Sequence, residues 1–176
     1  MRPAQQPLVL MGRAVRLRPW QEADIERLEA ILTEPSVGRW WGPGDPGSLA
    51  RAWLADEAAG TTTFVIEHDG RVIGSIQCSE VDDRDYRSAG IDLFLATDAQ
   101  GKGFGPDAIR ALARHLFDAR GHHRLTIDPA AANERAVRAY AKVGFRPIGI
   151  ARAYERGPDG TWHDGLLMDL LRDELT

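Results

Sequence analysis

One short stretch, Gln100-Gly101-Lys102-Gly103-Phe104-Gly105, constrains the fold of this chain more than any other. It follows residues 90–95, whose alternating side chains predict a strand, and precedes residues 106–117, whose apolar spacing predicts a helix beginning at Pro106. Glycine at alternate positions lets the backbone turn tightly and brings its N–H groups near an anion at the positive end of that helix. The order strand, glycine loop, helix therefore predicts a pyrophosphate cradle.

Composition favours one domain and a cationic partner. A chain of 176 residues with 43% hydrophobic residues can bury one sizeable core, and we expect a flexible lead over residues 1–12 followed by a single domain over residues 13–176. The net charge of −4 argues against nonspecific nucleic-acid binding, which depends on a basic surface. A small cationic molecule fits this charge better.

Cysteine and histidine usage bears on compartment and metals. Cys78 is the single cysteine, so there is no intrachain disulfide, which favours a reducing compartment and the cytoplasm. The apolar run at residues 8–10 is too short for a signal-peptide core or a membrane span. We predict no metal, no membrane or nucleic-acid partner, and a monomer or homodimer.

The rest of the chain alternates strand and helix patterns. The predicted strands are residues 14–19, 62–67, 71–79, 90–95, 123–128, 145–155 and 161–171, and the predicted helices are 21–33, 48–59, 106–117 and 133–143. Residues 36–48, rich in glycine and proline, predict a loop that carries Trp40 and Trp41. These tryptophans either fill the core or line a cleft, since neighbours in an extended segment point to opposite sides.

Acidic residues offer three candidate positions. Asp92 stands in mid-strand, where a carboxylate is costly to bury unless it is paired or functional. Asp128 ends a later strand, at the edge where ligands of open α/β sheets tend to bind. The connection at 80–85, with Asp83 and Asp85, is either an ordinary solvated turn or an acidic lip that attracts a polycation.

Asn133 and Tyr140 lie two helical turns apart and therefore share a helix face. A tyrosine there is more often core packing than a proton donor. Together with Lys142-Val143-Gly144-Phe145 and with Gln100-x-x-Gly103-x-Gly105, however, the pair resembles the cofactor-binding half of the GNAT superfamily of N-acetyltransferases.

That resemblance implies a fold and a cofactor. The fold is α/β, a central mixed, mostly antiparallel twisted sheet of about seven strands splayed in the middle, with about four helices. The cofactor is acetyl-CoA. The residues implied to bind it are Leu93, Phe94, Leu95, Gln100, Gly101, Lys102, Gly103, Phe104, Gly105, Pro106, Asn133, Ala136, Tyr140 and Lys142.

Within the superfamily, Trp40-Trp41-Gly42, Gly90-Ile91-Asp92 and Ile127-Asp128-Pro129 are most similar to segments of aminoglycoside 6′-N-acetyltransferases. The substrate-binding residues that the resemblance implies are Trp40, Trp41, Asp92 and Asp128, and the acidic-lip alternative adds Asp83 and Asp85. The loop after Glu80 departs from those enzymes, which leaves a siderophore precursor, lysine derivative, polyamine or peptide as alternative acceptors. A non-catalytic acyl-CoA-binding module is the competing class.

The resemblance also implies direct transfer of the acetyl group to an amine. Asp92 would anchor the amine and act as general base, directly or through water. A backbone N–H within residues 93–95 would stabilise the developing oxyanion. Tyr140 would donate a proton or a hydrogen bond to the departing thiolate.

Overall fold

The structure is a computed structural model, which describes residues 7–41, 52 and 60–176. In these residues eight strands form one sheet, in the order β1-β2-β3-β4-β5-β6-β8-β7. The strands are β1 Leu10–Met11, β2 Arg16–Pro19, β3 Thr61–His68, β4 Arg71–Val81, β5 Ser88–Leu95, β6 Arg124–Ile127, β7 Arg146–Arg156 and β8 Trp162–Leu171. Neighbouring strands are antiparallel except β5 and β6, which run parallel. The mixed, mostly antiparallel sheet predicted from the sequence is confirmed.

Helices cover the sheet. The longer ones within the described ranges are α1 Ile25–Thr33, α2 Pro35–Trp41, α3 Phe104–Asp118 and α4 Glu134–Ala141. The apolar side of α3 is buried, with Ile109, Leu112 and Leu116 at most 1% exposed. None of the helices in the described part of the chain combines the length and apolarity needed to cross a membrane.

The loop predicted over residues 36–48 is wrong at its start, where α2 forms instead. Pro35 is the first residue of α2, a position where its missing N–H costs nothing. Gly38 is needed by packing, because a Cβ there would lie 2.7 Å from the carbonyl oxygen of Leu32 on α1. The rest of that loop and the predicted helix at 48–59 fall outside the described residues, apart from Ala52.

The N-terminal segment is tied to α3. Leu10 and Met11, which the sequence assigned to a flexible lead, pair with β2 and add an eighth strand to the predicted seven. The carboxylate of Asp107 accepts hydrogen bonds from the N–H groups of Arg13 and Ala14 at 2.8 Å and of Val15 at 3.1 Å. A buried carboxylate that accepts several backbone N–H groups satisfies donors that the turn into β2 would otherwise leave unpaired.

The sheet opens between β5 and β6. Their pairing runs from Ser88 and Arg124 to Gly90 and Thr126, and in the described part of the chain it goes no further, although β5 continues to Leu95. The predicted splay in the middle of the sheet is therefore confirmed, and it leaves a gap over the C-terminal half of β5.

Candidate active site

The gap between β5 and β6 widens into a cleft of about 1410 Å³. This exceeds the roughly 300–1,000 Å³ of ordinary small-molecule pockets and leaves room for a nucleotide-sized donor beside an acceptor. The cleft gathers most of the residues predicted from the sequence: Trp40, Trp41, Asp92, Leu93, Phe94, Leu95, Gln100, Gly101, Gly103, Gly105, Pro106, Asp128, Asn133, Ala136, Tyr140 and Lys142.

Lys102, Phe104, Asp83 and Asp85 are not among the cleft-lining residues. The ring of Phe104 instead packs on His68, with ring centroids 4.2 Å apart. Asp83 accepts a hydrogen bond from the N–H of Asp85 at 2.8 Å, within a turn before β5. That turn lies at the N-terminal end of β5 and the cleft at its C-terminal half, so the geometry fits the ordinary-turn interpretation rather than the acidic lip.

The glycine loop has the backbone of an anion cradle. Gly101 and Gly103 have φ of 76° and 86°, a left-handed conformation that glycine adopts most readily. Apart from their chain neighbours, no atom of the described residues lies within 4 Å of where their Cβ atoms would be, which leaves space for an approaching ligand. Helix α3 begins at Phe104, which makes Pro106 its third residue rather than the predicted first. A helix start leaves N–H groups of its first turn without intrahelical partners.

Gln100 braces this loop through its side chain. Its amide nitrogen donates to the carbonyl oxygen of Leu95 at 2.7 Å and to Ser36 Oγ at 3.3 Å. Its amide oxygen accepts from Arg135 on α4. The side chain that was predicted to bind cofactor thus links the end of β5 to α2 and α4, and contact with an anion would fall to the backbone of the loop.

The same hydrogen bonds fix the orientation of the open edge of β5. The N–H of Ala96 donates to Ile73 on the β4 side, while the carbonyl oxygen of Leu95 faces Gln100 on the other side. Because successive residues of a strand alternate in the direction of their N–H and C=O groups, the N–H of Leu93 points into the gap together with that of Leu95.

Asp92 has the properties of a base that works near neutral pH. It pairs in register with Gln77 on β4, and its side chain faces the cleft. Desolvation by the surrounding protein raises the pKa of Asp92 to about 6, aided by the charges of Asp128 and Glu155 and opposed by a hydrogen bond from Gln77. The charges of Asp128 and Glu155 therefore act on Asp92 in the cleft.

Tyr140 on α4 both packs and faces the cleft. Its ring lies against Phe145, with centroids 6.4 Å apart, and the residue also lines the cleft. Burial raises the pKa of the Tyr140 phenol, and the charges of Asp92 and Asp128 raise it further. The phenol therefore stays protonated and can donate a hydrogen bond at neutral pH. Asn133 caps α4, its side-chain oxygen accepting from the N–H of Ala136 at 3.2 Å.

Both tryptophans lie on the cleft wall, and neither is buried in the core. Trp41 meets Phe94 edge-to-face, with ring centroids 5.2 Å apart, and remains 39% exposed. Arg39 lies over the ring of Trp40 at 4.7 Å. An exposed aromatic beside a carboxylate is suited to an amine-bearing ligand.

Tyr154 and Glu155 were missed by the sequence analysis. The phenol of Tyr154 donates to Asp128 Oδ2 at 2.5 Å, and Glu155 lines the cleft. Both lie where the pairing of β7 with β8 shifts register. A shift of this kind leaves no clear mark in the local sequence, and the predicted regular hairpin gave no reason to single them out.

The cleft carries charges of both signs. Arg110 on α3, Arg135 and Arg138 on α4 and Lys142 just after α4 contribute basic side chains, and Arg39 and Arg156 line the cleft as well. Asp92, Asp128 and Glu155 contribute carboxylates from β5, the end of β6 and β7. Such a cleft suits both an anionic group and a cationic group.

Comparison with known proteins assigns the family. Residues 14–146 match the model described as the acetyltransferase (GNAT) domain. The chain is 30% identical over 167 residues to the aminoglycoside N(6')-acetyltransferase type 1 of Klebsiella pneumoniae, covering 84% of this chain and 79% of that protein. It is 25% identical over 140 residues to the spermidine N(1)-acetyltransferase of Escherichia coli (strain K12), covering 76% and 74%.

A solved structure agrees with this assignment. Mycobacterium smegmatis RimJ in complex with CoA-disulfide superposes with a TM-score of 0.82 at 26% identity, covering 96% of this chain and 88% of that one. The family model spans most of the chain and includes Asp92, the glycine loop and Tyr140. The chain therefore belongs to the GNAT acetyltransferase family and is an N-acetyltransferase.

Proposed function

We propose that the chain transfers the acetyl group of acetyl-CoA to a primary amine of a cationic small molecule, the 6′-amino group of an aminoglycoside. The observation that carries this proposal is the meeting of Asp92, Asp128 and Glu155 in one cleft. Like charges held together destabilise one another until cations neutralise them. An acceptor with several ammonium groups provides that neutralisation, whereas an acceptor with one does so only in part.

Residues beside the glycine loop fit the acyl donor. The backbone N–H groups of Gly101 to Gly105 would hold its pyrophosphate, and the basic residues of α3 and α4 would offset its negative charge. Acetyl-CoA supplies the activated thioester carbonyl. The open edge of β5 would place the N–H of Leu93 or Leu95 where negative charge develops on the carbonyl oxygen.

Asp92 would accept a proton from the amine, and Tyr140 would donate a hydrogen bond to the leaving group. An alkyl ammonium must lose a proton before its nitrogen can attack, and a carboxylate of pKa about 6 is largely ionised at neutral pH and able to accept it. The Tyr140 phenol has a raised pKa and so remains a donor that can stabilise the departing sulfur. The carboxylate and the phenol lie near enough that the charge of Asp92 acts on Tyr140.

The similarity to the aminoglycoside acetyltransferase of Klebsiella pneumoniae, at 30% identity over most of both chains, supports the same acceptor class. A polyamine is the second candidate, because the same carboxylates would bind it and the chain is 25% identical to a spermidine acetyltransferase. The two acceptors differ in shape, one a set of rigid rings and the other a flexible chain.

The test is an acetyl-CoA-dependent thiol-release assay with four acceptor groups: aminoglycosides with a 6′-amine, aminoglycosides with a 6′-hydroxyl, polyamines, and lysine derivatives or peptides. We expect release with the 6′-amines and none with the matched 6′-hydroxyl compounds. Release with polyamines alone would show that the acceptor is a polyamine rather than an aminoglycoside. Binding of acetyl-CoA without release for any amine would favour a non-catalytic acyl-CoA-binding module.

A further inference from the structure

We propose that Tyr154 is a positioning residue that fixes the carboxylate of Asp128 for the cationic acceptor, and that a bulge in β7 exists to place it. The proposal rests on the function proposed above for the acceptor side of the cleft. Tyr154 donates its phenolic hydrogen to Asp128 Oδ2 at 2.5 Å. Because Tyr154 is 45% exposed, burial in the core does not explain the position of its ring.

The bulge in β7 sets the direction of the Tyr154 side chain. Ala151 pairs with Gly165 and Glu155 with His163, so residues 152–154 of β7 stand opposite the single residue Asp164 of β8. Ala153 has a φ of 50°, a left-handed conformation that is costly for any residue with a Cβ. The N–H of Ala153 donates to Asp164 Oδ1 at 2.8 Å, which holds the bulge in this form.

Gly165 leaves room for the ring. A Cβ at Gly165 would lie 2.7 Å from Cδ1 of Tyr154, closer than real Cβ contacts allow, and 3.2 Å from its Cγ. The ring therefore lies across the backbone of β8 at a position where only glycine leaves room. The left-handed backbone at Ala153, the carboxylate of Asp164 and the missing side chain at Gly165 together allow the ring of Tyr154 to take this position.

The segment that follows Asp128 is attached to the same part of β8. The N–H of Leu166 donates to the carbonyl oxygen of Pro129 at 2.9 Å, and the N–H of Ala131 donates to that of Asp164 at 2.8 Å. Both partners of the phenol–carboxylate hydrogen bond are thus fixed to residues 164–166. Backbone hydrogen bonds hold the segment after Asp128, and the Asp164 carboxylate holds the bulge that carries Tyr154.

The hydrogen bond has an electrostatic consequence for the site. Asp128 faces the carboxylate of Asp92 on β5 and lines the cleft with Glu155 and Arg156 of β7 and with Tyr140 of α4. The phenol holds one carboxylate oxygen of Asp128 and leaves the other oxygen for the acceptor. The same hydrogen bond is the main cause that raises the pKa of Tyr154 to about 12.

The hydrogen bond between Tyr154 and Asp128 is tested first, in the absence of any acceptor amine. The chain has three tyrosines, and Tyr86 is 75% exposed on the turn before β5, so it provides an internal reference. With tyrosine labelled at 13Cζ, we expect the resonance assigned by Tyr154→Phe to titrate well above that of Tyr86. Asp128→Asn should move it part of the way towards that of Tyr86, because burial and the charges of Asp92 and Glu155 remain. A Tyr154 resonance that titrates with Tyr86 in the unaltered protein would overturn the proposal, whatever the acceptor.

The positioning role is then tested by a kinetic cycle of Tyr154→Phe, Asp128→Asn and the double variant, with Tyr86→Phe as the matched control. We expect Tyr154→Phe to raise the KM of the amine on the order of 10-fold, with kcat changed less than about threefold and the KM of acetyl-CoA unchanged. In the Asp128→Asn background the same change should add nothing.

Additive effects, or a loss confined to kcat, would contradict a role through Asp128. Inactivity of the unaltered protein towards every amine would instead refute the proposed acceptor class, and the tyrosine titration would still decide the contact.

Discussion

Replacing Asp92 with asparagine separates its role as a base from a role in the fold. Asparagine keeps the size of the side chain and its ability to pair with Gln77, but it cannot accept a proton at neutral pH. General-base catalysis typically contributes about 10²- to 10⁴-fold, so we expect kcat to fall by that factor. Acetyl-CoA affinity should change little, because the backbone N–H groups of the glycine loop, which would hold the pyrophosphate, do not depend on this carboxylate.

The same substitution should stabilise the protein at neutral pH. The pKa of Asp92 is 3.8 in the unfolded chain and about 6 in the fold, so the folded state binds the proton more tightly. Stability from this group is full below pH 3.8 and is lost as pH rises through about 6. The whole difference corresponds to about 3 kcal/mol, and exposure of the carboxylate to the cleft reduces our expectation to about 1 kcal/mol.

Thermal melts and calorimetric titration with acetyl-CoA measure both consequences. For a domain of this size, about 1 kcal/mol corresponds to a Tm increase of roughly 2–4 °C at pH 7.5, which should vanish below about pH 4. In the unaltered enzyme, kcat/KM should fall as pH drops through about 6, when Asp92 becomes protonated. A lower Tm at pH 7.5 together with weaker acetyl-CoA binding would mean that Asp92 is structural, and the reasoning about its charge would be refuted.

Three further substitutions test the loop, the donor and the N-terminal anchor. Gly103→Ala should weaken acetyl-CoA binding measured by calorimetry, because alanine disfavours a φ of 86° and its methyl group would face the ligand; equal affinity would contradict the cradle. Tyr140→Phe should slow acetyl transfer on the order of 10- to 100-fold in single-turnover assays, and an unchanged rate would remove it from the mechanism. Asp107→Ala should lower the free energy of unfolding in urea by about 3 kcal/mol, since it leaves three backbone donors unpaired, whereas an unchanged midpoint would show that water replaces the carboxylate.

Features that depend on a few neighbouring residues were predictable. The sequence His68-Asp69-Gly70 predicts the hairpin between β3 and β4, and Asp69 and Gly70 do adopt φ of 50° and 73° there. The glycine loop between β5 and α3 follows from the same kind of reasoning, because backbone freedom at glycine is a local property.

Errors arose where packing overrode a local signal. The proline and glycine around Trp40 predicted a loop, yet Pro35 begins α2 and Gly38 lies against the backbone of α1. The contact of Gly38 with Leu32 crosses from one helix to the next, and the local pattern of glycine and proline does not report it. The hydrogen bond from Gln100 to Ser36 joins residues 64 positions apart, so no local pattern in the sequence indicates it either.

The sequence by itself determined the strand–loop–helix unit for which we propose anion binding, the mid-strand position of Asp92 and the family. Only the tertiary structure decided which groups meet Asp92 across the cleft. Asp128 and Glu155 line the cleft, and Tyr154 bonds to Asp128, because β5 and β6 part after Gly90 and because β7 bulges at Ala153. The physical reason is that strand divergence and register shifts depend on contacts between segments far apart in the chain, whereas turns and helix starts depend on the backbone preferences of adjacent residues.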